Sequence, residues 1–160
     1  MPTWPVYTLS VAFALTALPI IPASWQATSI DPVAVGSHGW SELADTVAAS
    51  YRSLPPDQRR DAVLVAQTYW EASALDFFGQ ERGLPPVFSG NLGWAYFGPP
   101  PERSGPVLFV GQDPASLRPY FTSLRQLAVA AGKVGGTHTV WVCEGRRRPW
   151  SEIWSAYRDL

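Results

Sequence analysis

The chain has 160 residues, 46% of them hydrophobic, and a formal net charge of -1. That length fits one domain of ordinary size, with enough apolar content to bury a core. The near-neutral charge gives no long-range attraction to nucleic acid, and the single cysteine, Cys143, excludes an internal disulfide framework or a multi-cysteine metal site within the chain.

Residues 1–30 carry no charged side chain, and 6–21 is a nearly continuous apolar run softened only by Thr8, Ser10, Thr16 and Pro19. A membrane-spanning helix needs roughly 20 predominantly apolar residues, which residues 4–25 supply. Trp4, Tyr7 and Trp25 suit the two interfacial belts. A signal peptide would need a basic leading region, which is missing. A buried core helix would have to be covered on every side. The expectation is therefore an apolar membrane helix and exit segment over 1–30, followed by a soluble domain over 31–160. Every Lys and Arg follows the apolar segment. Charge alone would thus place the domain inside, although the positive-inside rule governs short loops rather than whole domains.

Trp40, Leu43, Ala44, Val47, Ala48, Tyr51 and Leu54 fall on one stripe at helical spacing, and Pro55 and Pro56 stop that helix. Residues 62–66 (AVLVA) read as a short buried parallel strand. Residues 71–78 read as a helix ended by Gly79 or Gly83. A short strand is expected at 86–89, a loop at 98–106 and a further strand at 107–110. Asp113-Pro114 is a good helix start, since the carboxylate caps amides and proline takes the first position. The expected helix carries Leu117, Phe121, Leu124, Leu127 and Ala128 on one face and closes at Gly132, with Pro119 delaying its regular part. Residues 139–143 form the last strand. Trp150, Ile153, Trp154 and Tyr157, after Pro149, make a short amphipathic helix. Strands alternating with helices imply an α/β fold: a small, mainly parallel sheet with helices on both faces, in Rossmann-like or flavodoxin-like layering.

Ligands of open α/β sheets gather beyond the carboxyl ends of the strands. Residues 67–71, 90–91, 111–113 and 144–145 would lie at those ends, so Tyr69, Glu71, Asn91, Trp94 and Asp113 are the candidate ligand-binding residues. Each has a structural alternative. Asp113 would serve as a helix cap and Glu71 would stabilise the first turn of its own helix. The aromatic stretch 91–98 would stack on sugars or prenyl chains, or else plug the sheet. Arg146, Arg147 and Arg148 read as a solvated turn ahead of a phosphate site. Cys143 reads as a small buried hydrophobe. His38 and His138 have no partner at ligand spacing, and no phosphate loop, dinucleotide turn or nucleophile elbow is present. No catalytic residue and no metal ligand is assigned.

Several stretches in order, GWSELADTVAASYRSLPPDQRRDAVLVAQTYWEASALDFFG, LPPVFSGNLGWAYFGPP, VLFVGQD and CEGRRRPWSEIW, together resemble the C-terminal soluble region of bacterial family-39-like glycosyltransferases. These are polytopic membrane proteins similar to dolichyl-phosphate-mannose protein mannosyltransferases. The apolar segment ending LPIIPASW resembles their last membrane helix. The resemblance implies a polyprenyl-phosphate-linked sugar donor and a divalent metal in the parent family. It places the catalytic acidic residue in an early extracytoplasmic loop that has no counterpart in this chain. It therefore implies an accessory, extracytoplasmic domain at the cell membrane, partnered by the polytopic catalytic part, with no cofactor of its own and no nucleic acid. Two departures from the family pattern bear on the ligand edge. Ser89-Gly90-Asn91-Leu92-Gly93-Trp94 stands where the family often has S-G-H-N-x-Y. Trp70 replaces the glycine before the glutamate of a GNYGEAGA-like stretch. The alternative is a membrane-anchored module that binds a glycan or a protein.

Overall fold

The computed structural model describes residues 7–11, 13, 39–131 and 137–158. The chain divides into two compact units, Met1–His38 and Gly39–Leu160. In the first unit, residues 7–11 and 13 are helical and exposed. Most of the expected membrane helix over 1–30 lies outside the described residues. Among the described residues no helix is long and apolar enough to cross a membrane.

The second unit is α/β. Its elements in chain order are α1 (Trp40–Ser53), α2 (Pro56–Arg60), β1 (Val63–Ala66), α3 (Tyr69–Gly79), β2 (Val87–Phe88), β3 (Val107–Gly111), β4 (Ser123–Ala131), β5 (Thr137–Glu144) and α4 (Trp150–Tyr157). Short 3-10 segments occupy Gln80–Arg82, Leu92–Phe97 and Ala115–Tyr120. The first helix, the parallel strands and the last helix stand where periodicity places them. The helix at α3 starts two residues earlier than expected, because Thr68 rather than a later residue is its N-cap. Past Gly79 a 3-10 turn carries the chain to Gly83, whose φ is 71°.

The five strands form one sheet in the order β2-β1-β3-β5-β4. β1 runs parallel to both β2 and β3, whereas β5 is antiparallel to β3 and β4 to β5. The sheet is therefore mixed rather than mainly parallel. Side chains alternate between its faces. Leu64, Ala66, Leu108, Val110, Val140 and Val142 meet Leu43, Ala44 and Val47 of α1 and Ala72 and Leu75 of α3. Val63, Val65, Val107, Phe109 and Cys143 meet Trp150, Ile153, Trp154 and Tyr157 of α4 on the other side, together with Leu117 and Phe121. Helices thus cover both faces. Each fully buried Leu, Val or Phe contributes roughly 1.5–3 kcal/mol, so these two layers dominate the stability of the unit.

The expected helix from Asp113 to Gly132 is absent among its described residues. Asp113 does cap locally, its Oδ1 accepting from the Ala115 amide at 2.9 Å. The turn that follows is only a 3-10 segment with Pro119 inside it, and the chain then extends into β4. The misleading pattern has a physical cause. The register of β4 against β5 slips between Gln126 and Ala128, so a β-bulge at Leu127 interrupts the period of two. Leu124 faces the aromatic layer, while Leu127 and Ala128 face the aliphatic one. The resulting spacing of three and four mimics a helical stripe.

Two polar anchors fix the ends of helices. The Trp150 amide donates to Glu102 Oε1 at 2.5 Å, so a carboxylate from the 98–106 loop caps α4. Glu102 also pairs with Arg146 at 2.7 Å, whose guanidinium lies 5.5 Å from the Trp150 ring centre. Arg148 pairs with Glu152 at 2.9 Å. Two of the arginines in the basic run are thus engaged in holding the start of α4.

Candidate functional site

The parallel strands set the geometry of the site. From β1 the chain moves to β2 on one side and then crosses to β3 on the other, so the order reverses about β1. A crevice opens beyond the carboxyl ends of strands at such a switch point. Here it is a cleft of about 310 Å³ lined by Gln67, Thr68, Asn91, Asp113, Ala115, Ser116 and Tyr157.

Gln67 follows β1 directly. Its Oε1 accepts from the Gln112 amide at 2.7 Å and the Asp113 amide at 3.4 Å, linking the ends of β1 and β3. A side chain at Gly111 would collide with Gln67, so only glycine permits this link. Asn91 ties β2 to the same edge, its Oδ1 accepting from the Tyr69 amide at 3.1 Å. Tyr157 closes the floor from α4, its hydroxyl donating to the Ala66 carbonyl at 3.2 Å. Burial, with a smaller push from the Glu71 carboxylate, holds the Tyr157 phenol above its ordinary pKa, so it remains a neutral donor. A Cβ at Gly90 would lie 2.6 Å from the Tyr157 ring and 2.9 Å from the Arg158 backbone. That close approach is what lets the end of β2 pack against α4.

Glu71 lies behind this edge and is only 2% exposed. It completes a capping box: Thr68 Oγ1 accepts from the Glu71 amide at 3.5 Å, and Glu71 Oε2 accepts from the Thr68 amide at 2.8 Å. The Thr68 hydroxyl also donates to Glu71 Oε2 at 3.1 Å. The other carboxylate oxygen, Oε1, is 2.7 Å from His138 Nδ1. The tautomer with its proton on Nδ1 lets the imidazole donate to that oxygen. His138 comes from the start of β5, opposite Ala130, and its ring lies 5.4 Å from that of Trp40. A buried carboxylate–imidazole pair therefore ties α3, β5 and the start of α1 together.

Of the sequence candidates, Asn91 and Asp113 line the cleft, and Tyr69 touches it through Asn91. Glu71 joins it only through Thr68. Trp94 is elsewhere: its Nε1 donates to Ser73 Oγ at 3.0 Å on the outer side of α3, and its ring packs against the aliphatic layer. Thr68, Gln67, Ser116, Tyr157 and His138 were not singled out. The first two lie in the run 67–71 that the sequence already places beyond β1, although neither is among the candidates. Tyr157 is indistinguishable in sequence from the other apolar residues of α4. Nothing local marks His138 as the partner of a glutamate 67 residues away.

A second, more open recess of about 420 Å³ lies at the opposite edge, lined by Asp57, Asp61 and Glu144 among others. Its carboxylates sit at a solvent-facing rim. Among the described residues no group of His, Cys, Asp and Glu side chains comes together that could hold a metal ion. Compared with known proteins, the chain matches no family model, no curated relative and no solved structure.

Proposed function

We propose that this chain is an accessory, non-catalytic domain of a membrane glycosyltransferase that uses a polyprenyl-phosphate-linked sugar. In this reading the α/β unit lies outside the cytoplasm and the strand-end cleft holds the sugar part of a donor or acceptor. The observation that carries the reading is the chemistry of the cleft. Its lining is amide, hydroxyl, one carboxylate and a tyrosine ring, without lysine or arginine. Neutral donors and acceptors with one carboxylate match the hydroxyls of a saccharide. A phosphate would call for arginine or lysine, or for free amides at a helix N-terminus. The N-terminus of α3 does reach the lining at Thr68, but its Thr68, Tyr69 and Glu71 amides already donate to Glu71, Asn91 and Thr68. The ordered motif resemblance to family-39-like enzymes supplies the lipid-linked context.

The accessory part of the reading draws support from Glu71 and His138. These are the acid and base that a reaction would use, yet each is turned into the core and bonded to the other. Neutral hydrogen bonds contribute about 0.5–1.5 kcal/mol each, so a few of them give affinity on the order of millimolar. Such weak binding suits a domain that presents a sugar to a separate catalytic part.

The test is a transfer assay on the full chain with polyprenyl-phosphate mannose and a peptide or saccharide acceptor. No turnover is expected, whereas turnover by this polypeptide alone would overturn the accessory reading. Ser116→Ala and Asp113→Asn should each weaken mannoside binding by about two- to tenfold, the equivalent of one neutral hydrogen bond. Unchanged binding in both would remove the cleft from the proposal.

A further inference from the structure

An aromatic surface on the α/β unit is used by neither the core nor the cleft. Trp70 is 60% exposed, Leu92 66%, Tyr96 94% and Phe97 76%. They come from the first turn of α3 and from the 3-10 segment after β2, which packs beside that helix. Trp94 is the rivet between them: its indole donates to Ser73 on α3 and its ring lies 5.2 Å from that of Phe97. Trp70 is steadied by Tyr69, with ring centres 4.3 Å apart. Leu92 is held outward at a φ of 49°, a left-handed conformation that a leucine rarely adopts. From Gly83 to Pro101 the chain carries no charged side chain. Large apolar side chains exposed in such number around a charge-free segment mark an interaction site, even with Asp76 exposed further along α3.

We infer that this patch inserts into the headgroup–acyl boundary of a lipid bilayer and orients the α/β unit on the membrane. The inference rests on the membrane reading of the N-terminal apolar stretch. Two features of the chain select lipid as the occupant. Tryptophan and tyrosine, with an apolar body and a polar tip, are the side chains that favour the membrane–water boundary. The unit also begins at the same edge as the patch. Trp40, its second residue, lies against His138, which bonds to Glu71 in the first turn of α3, next to Trp70. Only residues 26–38 separate Trp25 from that entry point, a length that reaches at most about 45 Å. A linker of that length limits how far the unit can stand from an anchored apolar stretch. With no charge in the segment, attachment depends on apolar burial and is indifferent to anionic lipid.

Cys143 provides the means to test this, since it is the sole cysteine and is fully buried. A nitroxide can therefore be placed at one new cysteine in the full chain reconstituted in phosphatidylcholine vesicles. Gly93 is exposed and a Cβ there meets nothing within 4 Å, so Gly93→Cys leaves the aromatics in place. Ser10→Cys reports on the apolar stretch and Asp57→Cys on the opposite edge of the sheet. The expected result is that labels at 93 and 10 collide more with oxygen than with a water-soluble nickel chelate, and the label at 57 the reverse. In the triple variant Trp70→Ser, Tyr96→Ser, Phe97→Ser the label at 93 should shift to the aqueous ratio while that at 10 stays. An aqueous ratio at 93 with a lipid ratio at 10 overturns this inference alone. An aqueous ratio at 10 overturns the membrane reading and this inference with it.

Discussion

The parallel half of the sheet and its antiparallel hairpin are built on different terms. β2, β1 and β3 are short, almost wholly buried and covered on both sides, so every side chain in them is apolar. β4 and β5 are longer, and β4 forms an edge with Arg125, Gln126 and Val129 exposed. The parallel half creates the cleft, because only parallel strands with a reversed order open a crevice at their carboxyl ends. The hairpin contributes no residue to the lining. It braces that edge from behind by delivering His138 to Glu71. One half presents the chemistry and the other holds it rigid, and the buried pair is where they meet.

The most severe way to break this division is to cut the pair. Glu71→Ala leaves His138 buried without its partner and opens the capping box of α3, so it should cost about 3–5 kcal/mol in urea unfolding. Glu71→Gln keeps its single amide oxygen for the cap and turns an N–H toward His138, whose Nδ1 must then accept, and should lose distinctly less. Equal losses would mean that charge, not geometry, is what the hairpin supplies. Next comes Gly90→Ala, which touches the parallel half alone. The added methyl must displace Tyr157 or the Arg158 backbone, an overpacking cost of about 1–3 kcal/mol, and it should also weaken sugar binding by moving the floor of the cleft. Thr68→Ala removes one N-cap bond and should cost about 1 kcal/mol. Combined with Glu71→Ala it should cost less than the sum, because both act through the same box.

The last effect belongs to the hairpin and appears only in alkali. Burial pushes the Cys143 thiol up from 9.0 to about 12. The folded state therefore keeps its proton where the unfolded chain loses it. Stability from this group is fully present below pH 9.0 and is lost as pH rises toward about 12. Tyr157 adds to the same decline. In Cys143→Ala the urea midpoint should fall less steeply with pH above 9.0, the remaining slope being that of Tyr157.

Legibility in the sequence divides along the same line. The parallel half could be read because its strands are short runs of valine, leucine and phenylalanine bounded by glycine and proline, and because α1 and α4 carry unbroken helical stripes. The hairpin could not. Ser123–Ala131 contains leucine, glutamine, arginine and four alanines or valines after the bulge, residues that favour a helix in isolation, and the bulge at Leu127 supplied false helical spacing. Pairing along the whole of β5 overrides that preference, and nothing in the local sequence announces it. The cleft was half legible. Asn91 and Asp113 follow from their places after β2 and β3, while Tyr157 and His138 reach the edge by long-range contacts that no spacing encodes. Glu71 stands behind the edge rather than in the cleft lining, and its capping box is visible only once Thr68 is known to be the N-cap.

The most direct test of the proposed sugar cleft is a titration of methyl mannoside into the full chain in detergent or vesicles, followed through the side-chain amide NMR signals of Gln67 and Asn91. Those signals should shift together and saturate with a Kd on the order of millimolar, as a few neutral hydrogen bonds allow, while the amide of Gln58 at the opposite edge stays fixed. Immobile Gln67 and Asn91 signals, or a response confined to Gln58, would contradict the assignment of the switch-point cleft as a saccharide site.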